Sequence, residues 1–96
     1  MKMVDLFAII ENRKAVMPEG SYTARLLAKG EDEILKKVGE ETIEVILAAK
    51  GQGDQRLVEE IADLFYHTLV LLAARGISLS EVEMELEQRH RGEGSS

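Results

Sequence analysis

The stretch that decides the fold runs from Lys36 to Asp63, KKVGEETIEVILAAKGQGDQRLVEEIAD. Apolar residues recur at helical spacing on both sides of the turn Gly51-Gln52-Gly53, which predicts two helices joined as a hairpin. Residues three apart share one face of a helix, and each predicted helix carries one such acidic pair. The two pairs are Glu41 with Glu44, and Glu60 with Asp63. A hairpin would bring these four carboxylates to one place.

Four like charges at one place repel one another, so their convergence needs a counter-charge. A hard divalent cation with oxygen ligands is the usual one. No histidine stands at either i+3 position, unlike the Glu-x-x-His motif of ferritin-like iron sites. The donor set therefore points to Mg²⁺, with Mn²⁺ as the alternative, rather than to zinc or a redox iron pair. Because magnesium usually shares its coordination with substrate phosphates, the site predicts a di- or triphosphate ligand.

A second interpretation is that these acidic residues only form solvated helix faces. Lysines at positions 36 and 37 make i,i+4 pairs with Glu40 and Glu41, of the kind that stabilise an isolated helix slightly. The second acidic pair argues against this interpretation, because it alternates with apolar residues where an unpaired buried charge costs several kcal/mol. Gly39 inside the predicted helix fits two explanations equally, the close approach of a ligand or helix and a kink.

The bulk composition describes one ordinary domain. The chain has 96 residues, of which 45% are hydrophobic and 31% charged, and this length leaves no room for a second domain. The absence of cysteine excludes disulfides and thiolate metal sites. The net charge of −6 argues against a nucleic acid or an acidic membrane as partner. No apolar run reaches the ~18 residues that span a bilayer, and no signal peptide is recognisable, so the expected compartment is the cytoplasm.

Proline and glycine positions divide the chain into about five helices without strands, an all-α helical bundle. The fourth helix is apolar nearly all round in its second half, so we expect a homodimer to complete the bundle. The single domain would cover residues 1–91, and residues 92–96 would be a disordered tail. The expected helices are Val4 to about Lys14, Tyr22 to Ala28 capped by Ser21, Glu31 to Lys50, a helix capped by Asp54 that ends at Gly76, and one capped by Ser78 that runs to about Arg91.

The remaining candidate site residues are polar or basic. His67 stands on the same helix stripe as the second acidic pair, which suits contact with a substrate or with a ligand carboxylate; a packing role is the alternative. Tyr22 and Thr23 follow the loop that contains Pro18, and are candidates for contact with sugar or phosphate, with capping and loop packing as the alternative role. The basic candidates for substrate phosphate are Arg13, Lys36 and Lys37.

Three strings of the sequence resemble one known family. They are PEGSYTARLLAKG, KKVGEETIEVILAAKG and EEIADLFYHTLVLLAARGISLSEV, within a likeness that covers roughly residues 4 to 91. The family is phosphoribosyl-ATP pyrophosphohydrolase, which belongs to the MazG-like all-α nucleoside triphosphate pyrophosphohydrolases. The superfamily signature of Glu-x-x-Glu followed by Glu-x-x-Asp is matched by the two acidic pairs.

This resemblance implies Mg²⁺-dependent hydrolysis of 1-(5-phosphoribosyl)-ATP to 1-(5-phosphoribosyl)-AMP and pyrophosphate, the second step of histidine biosynthesis. It also implies a homodimer or higher homo-oligomer. The mechanistic hypothesis assigns both acidic pairs to the metal, Glu40 or Glu41 to the general base, and Lys36 and Lys37 to the departing pyrophosphate. Two other functions stay open: a house-cleaning hydrolase for ordinary or damaged nucleotides, and a non-catalytic dimerisation module.

Overall fold

The computed structural model describes residues 1–93, and in that range the chain forms five α-helices and no strand. The helices are α1 (Met3–Val16), α2 (Tyr22–Lys29), α3 (Glu31–Gly51), α4 (Asp54–Arg75) and α5 (Leu79–Glu93). The predicted all-α class and the order of the helices are confirmed. None of the described helices has the length and apolarity that crossing a bilayer would require.

Side-chain caps fix two of the helix starts. The Ser21 hydroxyl accepts a hydrogen bond of 3.0 Å from the Ala24 N–H, which satisfies one of the free donors in the first turn of α2. At α5 the backbone N–H of Ser78 donates to the Glu81 carboxylate across 3.0 Å, half of the predicted capping box. Gly76 ends α4 in the left-handed conformation, with a φ of 70°. The residues at these three helix ends, Ser21, Ser78 and Gly76, are the ones that the sequence predicted as caps or helix ends.

Most helix ends lie one or two residues from the predicted ones, and two of the differences change the role predicted for a residue. Asp54 is the first residue of α4 rather than its cap, and Gly53, with a φ of 89°, holds the cap position. Glycine adopts that φ without strain, and an acidic residue in the first turn is favourable against the helix dipole. α5 continues through Gly92 and Glu93, which were expected in the disordered tail, and an i,i+4 ion pair of 3.1 Å supports its last turns. The rest of that tail, 94–96, lies outside the described residues.

The core is built on the hairpin of α3 and α4. These two helices pack along each other, and α1 and α2 cover them. The largest fully buried side chains come one each from α1, α3 and α4; they are Ile10, Ile34 and Val70. The buried hydrophobic cluster contains residues from the first four helices: Phe7, Ile10, Leu26, Ile34, Leu69, Val70 and Ala73. This packing fixes the relative register of the hairpin, on which the acidic pairs depend.

A lysine joins α1 to the end of α4. The Lys14 ammonium donates a hydrogen bond of 2.7 Å to the Ala73 carbonyl oxygen. The last carbonyl groups of a helix have no partner within it and carry partial negative charge, so a cation is favourable there. The contact places the carboxyl end of α1 beside the carboxyl end of α4.

An apolar surface between α4 and α5 is uncovered in the single chain. Phe65, in the middle of α4, is 50% exposed. It borders a groove between α4, α5 and the start of α1, which is also lined by residues such as Met3, Leu72, Leu79, Val82 and Leu86. Every residue from Ser80 to Gly92 is exposed, so α5 does not pack into the core. Exposed apolar patches of this kind mark interaction surfaces.

Two valines test the position of the core. Val70 is fully buried, whereas Val16 at the end of α1 is 62% exposed. Val70→Ala removes two buried methyl groups and leaves a cavity, so we expect it to lower the free energy of unfolding by about 2–3 kcal/mol. Val16→Ala should change it by less than about 0.5 kcal/mol. Urea denaturation followed by circular dichroism measures both; equal losses would contradict the placement of Val70.

Candidate active site

The hairpin brings three carboxylates together. Glu41 of α3 and Glu60 and Asp63 of α4 each offer one oxygen, and these atoms all lie within 4.8 Å of one another. Glu60 is only 5% exposed, Glu41 is half-buried and Asp63 is exposed. The acidic cluster, as we call these three residues, therefore has a buried floor and an open side.

The cluster disturbs the titration of Glu41. Burial raises the pKa of the Glu41 carboxyl above its ordinary value, and the charges of Asp63 and Glu60 raise it further. The charges of His67 and Lys37 act in the opposite direction, and the pKa remains raised. Repulsion between the carboxylates is therefore incompletely balanced by the protein's own cations, which is the condition that a bound cation relieves.

Arg56 is a component of the site that the sequence interpretation missed. Its Nη2 donates to the Glu60 carboxylate across 3.0 Å, while its Nη1 donates to Glu59 across 2.9 Å. The hydrogen bond with Glu59 and the charge of Glu60 raise the pKa of the guanidinium above its already high ordinary value. The i,i+4 spacing from Arg56 to Glu60 is the signal that would have found this contact.

Glu44, the fourth predicted ligand, is not among the three convergent carboxylates. It lies half-buried on α3, one turn after Glu41, and its charge is one of those that raise the pKa of Arg56. The positive charge of the Arg56 guanidinium thus interacts with the carboxylates of both Glu60 and Glu44. Three of the four predicted ligands meet directly, and the charge of the fourth acts on the arginine that is bonded to Glu60.

Lys36, Lys37 and Glu40 precede Glu41 on α3 and differ in their exposure. Lys37 is 3.8 Å from the Glu40 carboxylate, and its charge also lowers the pKa of Glu41. Glu40 and Lys36 are exposed. Of the two candidate bases, Glu41 belongs to the acidic cluster, whereas Glu40 is paired with a lysine at its edge.

Two consecutive residues of α2 bond to two consecutive residues of α4. The Tyr22 hydroxyl lies 3.1 Å from Nε2 of His67, and the Thr23 hydroxyl is hydrogen-bonded to the Tyr66 hydroxyl. The His67 ring is edge-on to Tyr22 and Tyr66, with centroid distances of 6.1 and 4.9 Å. Nδ1 of His67 lies 2.8 Å from the backbone carbonyl oxygen of Asp63. This crossed pair sets the start of α2 beside the acidic cluster.

Arg13 does not join these residues. Its Nη1 donates to the side-chain oxygen of Asn12 across 2.7 Å, on α1. The neighbouring Lys14 reaches Ala73, which is roughly 15 Å along the α4 axis from Asp63 at the ordinary helical rise. The structure therefore places this predicted substrate-binding residue toward the end of α4 remote from the acidic cluster.

The donor set of the cluster fits a hard divalent cation. All three groups are carboxylates, and Mg²⁺ and Mn²⁺ prefer oxygen ligands. The buried Glu60 carboxylate is bonded to the partly exposed Arg56 alone among the described side chains, which leaves lone pairs free for a cation. The open side at Asp63 leaves room for the waters and phosphates that magnesium retains.

Comparison with known proteins shows the family of the chain. Residues 3–90 match the family described as phosphoribosyl-ATP pyrophosphohydrolase. The chain belongs to this family. The matched range includes the acidic cluster, the crossed pair of α2 and α4, and nearly all of α5, so the phosphoribosyl-ATP pyrophosphohydrolase likeness covers the site as well as the fold.

Individual members of the phosphoribosyl-ATP pyrophosphohydrolase family are closely similar to this chain. A protein of Listeria welshimeri is 59% identical over 85 residues, which are 88% of this chain and 82% of that protein. One of Lactiplantibacillus plantarum is 54% identical over 87 residues, or 91% and 82%. One of Metallosphaera sedula is 54% identical over 85 residues, or 88% and 91%. Each of the three is named phosphoribosyl-ATP pyrophosphatase.

The raised pKa of Glu41 predicts a pH dependence of stability. Its folded pKa lies above the ordinary value of 4.5, so the folded chain binds this proton more tightly than the unfolded chain does. The protonated Glu41 side chain therefore contributes to the stability of the folded chain below pH 4.5. This contribution is lost as the pH rises through the pKa that Glu41 has in the folded chain. In buffer with a chelator, Glu41→Gln should therefore be more stable than the wild type at pH 7, with a difference that shrinks toward pH 4.

Urea unfolding midpoints between pH 4 and pH 8 measure this difference. Glu40→Gln is the matched control, because it alters the adjacent exposed glutamate outside the cluster. If Glu41→Gln is no more stable than Glu40→Gln at pH 7, the repulsion within the acidic cluster has been overestimated.

Proposed function

We propose that this protein hydrolyses 1-(5-phosphoribosyl)-ATP to 1-(5-phosphoribosyl)-AMP and pyrophosphate, as an enzyme of histidine biosynthesis. The observation that carries the proposal is the acidic cluster on the α3/α4 hairpin of a chain that belongs to the phosphoribosyl-ATP pyrophosphohydrolase family. The names and the 54–59% identity of the relatives described above support the same substrate. We assign this activity to the cytoplasm.

Mg²⁺ is the proposed cofactor, with Mn²⁺ as the alternative. Glu41, Glu60 and Asp63 would hold the cation, and Glu44, one turn after Glu41 on α3, is the proposed fourth ligand. When bound, such a cation offsets the charge of the substrate phosphates and polarises the phosphoryl group under attack. The buried position of Glu60 supports this role, since it fixes one ligand before the substrate arrives.

The chain's own residues supply the rest of the proposed chemistry. Glu41 is better placed than Glu40 to accept a proton from the attacking water, because it lies in the cluster and Glu40 pairs with Lys37 outside it. Lys37, whose charge reaches Glu41, and the exposed Lys36 would stabilise negative charge on the departing pyrophosphate. Hydrolysis then breaks the α–β phosphoanhydride bond and leaves the monophosphate.

We also propose that two copies of the chain form a homodimer. The support is the apolar groove bordered by Phe65, together with the exposed helix α5 that flanks it. A chain of this size buries only about two-thirds of its unfolded surface, so covering this groove adds stability. A second copy is the proposed occupant because the apolar faces of α4 and α5 are self-complementary in chemistry, as a two-fold interface requires.

Replacing a cluster carboxylate tests the proposed activity. Asp63→Asn keeps the size of the side chain and removes its charge, so we expect kcat/KM for phosphoribosyl-ATP to fall at least about 100-fold. Glu11→Gln, an exposed position on α1, is the control and should retain full activity. Pyrophosphate release with MgCl₂ is the readout, and a chelator should abolish it in the wild type.

Parallel assays with ATP and the deoxynucleoside triphosphates separate the proposed substrate from a general nucleotide hydrolase. Equal kcat/KM for all of them would overturn the assignment of phosphoribosyl-ATP. Added MgCl₂ should also raise the melting temperature of the wild type and not that of Asp63→Asn, because a ligand stabilises only the state that binds it. Full activity of Asp63→Asn would refute the role of the cluster.

The dimer has its own test. Phe65→Glu places a charge on the apolar groove, so we expect it to convert a dimeric wild type to a monomer. Met84→Glu, at a side chain of α5 that is 68% exposed and does not line that groove, should leave the dimer intact. Size-exclusion chromatography with light scattering measures the masses. A monomeric wild type, or a dimeric Phe65→Glu, would contradict the proposal.

A further inference from the structure

Arg56 is the basic side chain that contacts the acidic cluster directly. Its Nη2 donates to Oε1 of Glu60 across 3.0 Å. Within residues 1–93, no other lysine or arginine nitrogen lies within 4.0 Å of a carboxylate of the cluster. The Glu60 side chain is 7% exposed and the Arg56 side chain is 47% exposed. The contact therefore has a buried anion at one end and an accessible cation at the other.

This contact differs from an ordinary surface ion pair. Pairs between two exposed side chains contribute little to stability, because water screens both charges. Glu60 has lost most of its contact with water, and a buried carboxylate without a partner is strongly unfavourable. The guanidinium keeps its charge in a protein, so its effect on Glu60 does not depend on a protonation equilibrium of its own. Arg56 thus neutralises part of the charge of the cluster.

The first turns of α4 hold the guanidinium in position. Nη1 of Arg56 donates to Oε1 of Glu59 across 2.9 Å, while Nη2 reaches Glu60. The other oxygen of Glu59 accepts a hydrogen bond of 3.1 Å from Nε2 of Gln55. The planar fork of an arginine suits such a bridge between two carboxylates, whereas a lysine ammonium is a single point charge. Arg56 is therefore fixed from both sides.

The bond to Arg56 leaves the Glu60 carboxylate with acceptor capacity. A carboxylate has about four lone-pair sites on its two oxygens, and the guanidinium uses a site on Oε1. A divalent cation held by Glu60 would share this carboxylate with Arg56. Two positive charges that act on one carboxylate repel each other, so each binds more weakly when the other is present.

We propose that Arg56 is the built-in counter-ion of the acidic cluster and that it lowers the affinity of the cluster for a divalent cation. The proposal rests on the metal site of the proposed function and deepens it, because it names the residue that sets how much Mg²⁺ is needed to fill the site. The contrary role, in which Arg56 orients Glu60 as a ligand, requires that Arg56 raise this affinity.

The cation affinity of Arg56→Gln is the first measurement. Free Mn²⁺ is followed by its electron paramagnetic resonance signal in titrations without substrate. Glutamine removes the charge and stays polar, so we expect Kd for Mn²⁺ to fall about 5-fold. A Kd that is unchanged or higher in Arg56→Gln would overturn the proposal.

Arg75→Gln is the matched control. It removes the same charge from the same helix, together with an ion pair of 3.4 Å to Glu31. Arg75 lies roughly 22 Å from Glu60 along the helix axis at the ordinary rise, which is beyond the range of an exposed charge at 0.1 M salt. Its Kd for Mn²⁺ should therefore stay within about 2-fold of the wild-type value. A change as large as that of Arg56→Gln would show an effect of net charge alone and would refute the specific role of Arg56.

A charge-conserving variant separates the charge of Arg56 from its geometry. Arg56→Lys keeps the positive charge but cannot reproduce both bonds of the fork. We expect its Kd for Mn²⁺ to stay within about 2-fold of the wild-type value. If Arg56→Lys tightens Mn²⁺ binding as much as Arg56→Gln does, the charge is not the cause and the proposal fails.

Thermal melts give a second readout. In buffer with a chelator, Arg56→Gln should lower the melting temperature more than Arg75→Gln does, because it leaves Glu60 buried without a partner. Saturating MgCl₂ should narrow the gap between Arg56→Gln and the wild type, since tighter binding adds more stability. A gap that stays constant or widens would contradict the proposal. If Arg56→Gln is unfolded in chelator, MgCl₂ should restore its helical circular dichroism, and a chain that stays unfolded would equally contradict it.

Failure of this proposal and failure of the proposed function give different results. None of these measurements uses phosphoribosyl-ATP, so they decide the role of Arg56 even if the wild type hydrolyses another nucleotide. Cation binding by the wild type that Arg56→Gln leaves unchanged would overturn the role of Arg56 alone. Absence of Mn²⁺ and Mg²⁺ binding in both proteins would refute the metal site and this proposal together.

Discussion

Repulsion between carboxylates is the constraint on which the site depends. Glu41, Glu60 and Asp63 present oxygens within 4.8 Å of one another, and no hydrophobic gain arises from bringing them together. The hairpin overcomes the repulsion because its buried side chains, Ile34 and Val70 among them, fix α3 against α4. Arg56 offsets part of the charge by bonding to the most buried of the three. Packing thus holds in place a charge arrangement that is unfavourable by itself.

Helical periodicity made much of the acidic cluster and of the helix boundaries predictable from the sequence. The i,i+3 spacing put Glu60 and Asp63 on one face, and the glycine-rich turn folded that face back toward Glu41. The helix starts at Ser21 and Ser78 also follow from local chemistry, since their capping interactions join residues three apart. Structural features that depend only on residues within one or two helical turns of each other can therefore be predicted from the sequence.

Other features depend on side-chain reach and on contacts between distant segments. Glu44 has the predicted spacing, yet its carboxylate is not among the three convergent ones, because spacing fixes the face of a helix and not the reach of a side chain toward the facing helix. The bond between Tyr22 and His67 joins positions far apart in sequence, and it exists only once α2 docks on α4. Arg13 is near Tyr22 in sequence, but its guanidinium bonds to Asn12 on its own helix rather than to the residues beside the cluster.

The brevity of the turn between α3 and α4 has a kinetic consequence. Only Gln52 and Gly53 separate the two helices, so the loop-closure entropy opposing their association is small. Contacts between neighbouring helices form faster than contacts between distant segments. The carboxylates come together as soon as α3 docks on α4. Their repulsion therefore opposes the association of the two helices during folding as well as the stability of the folded chain.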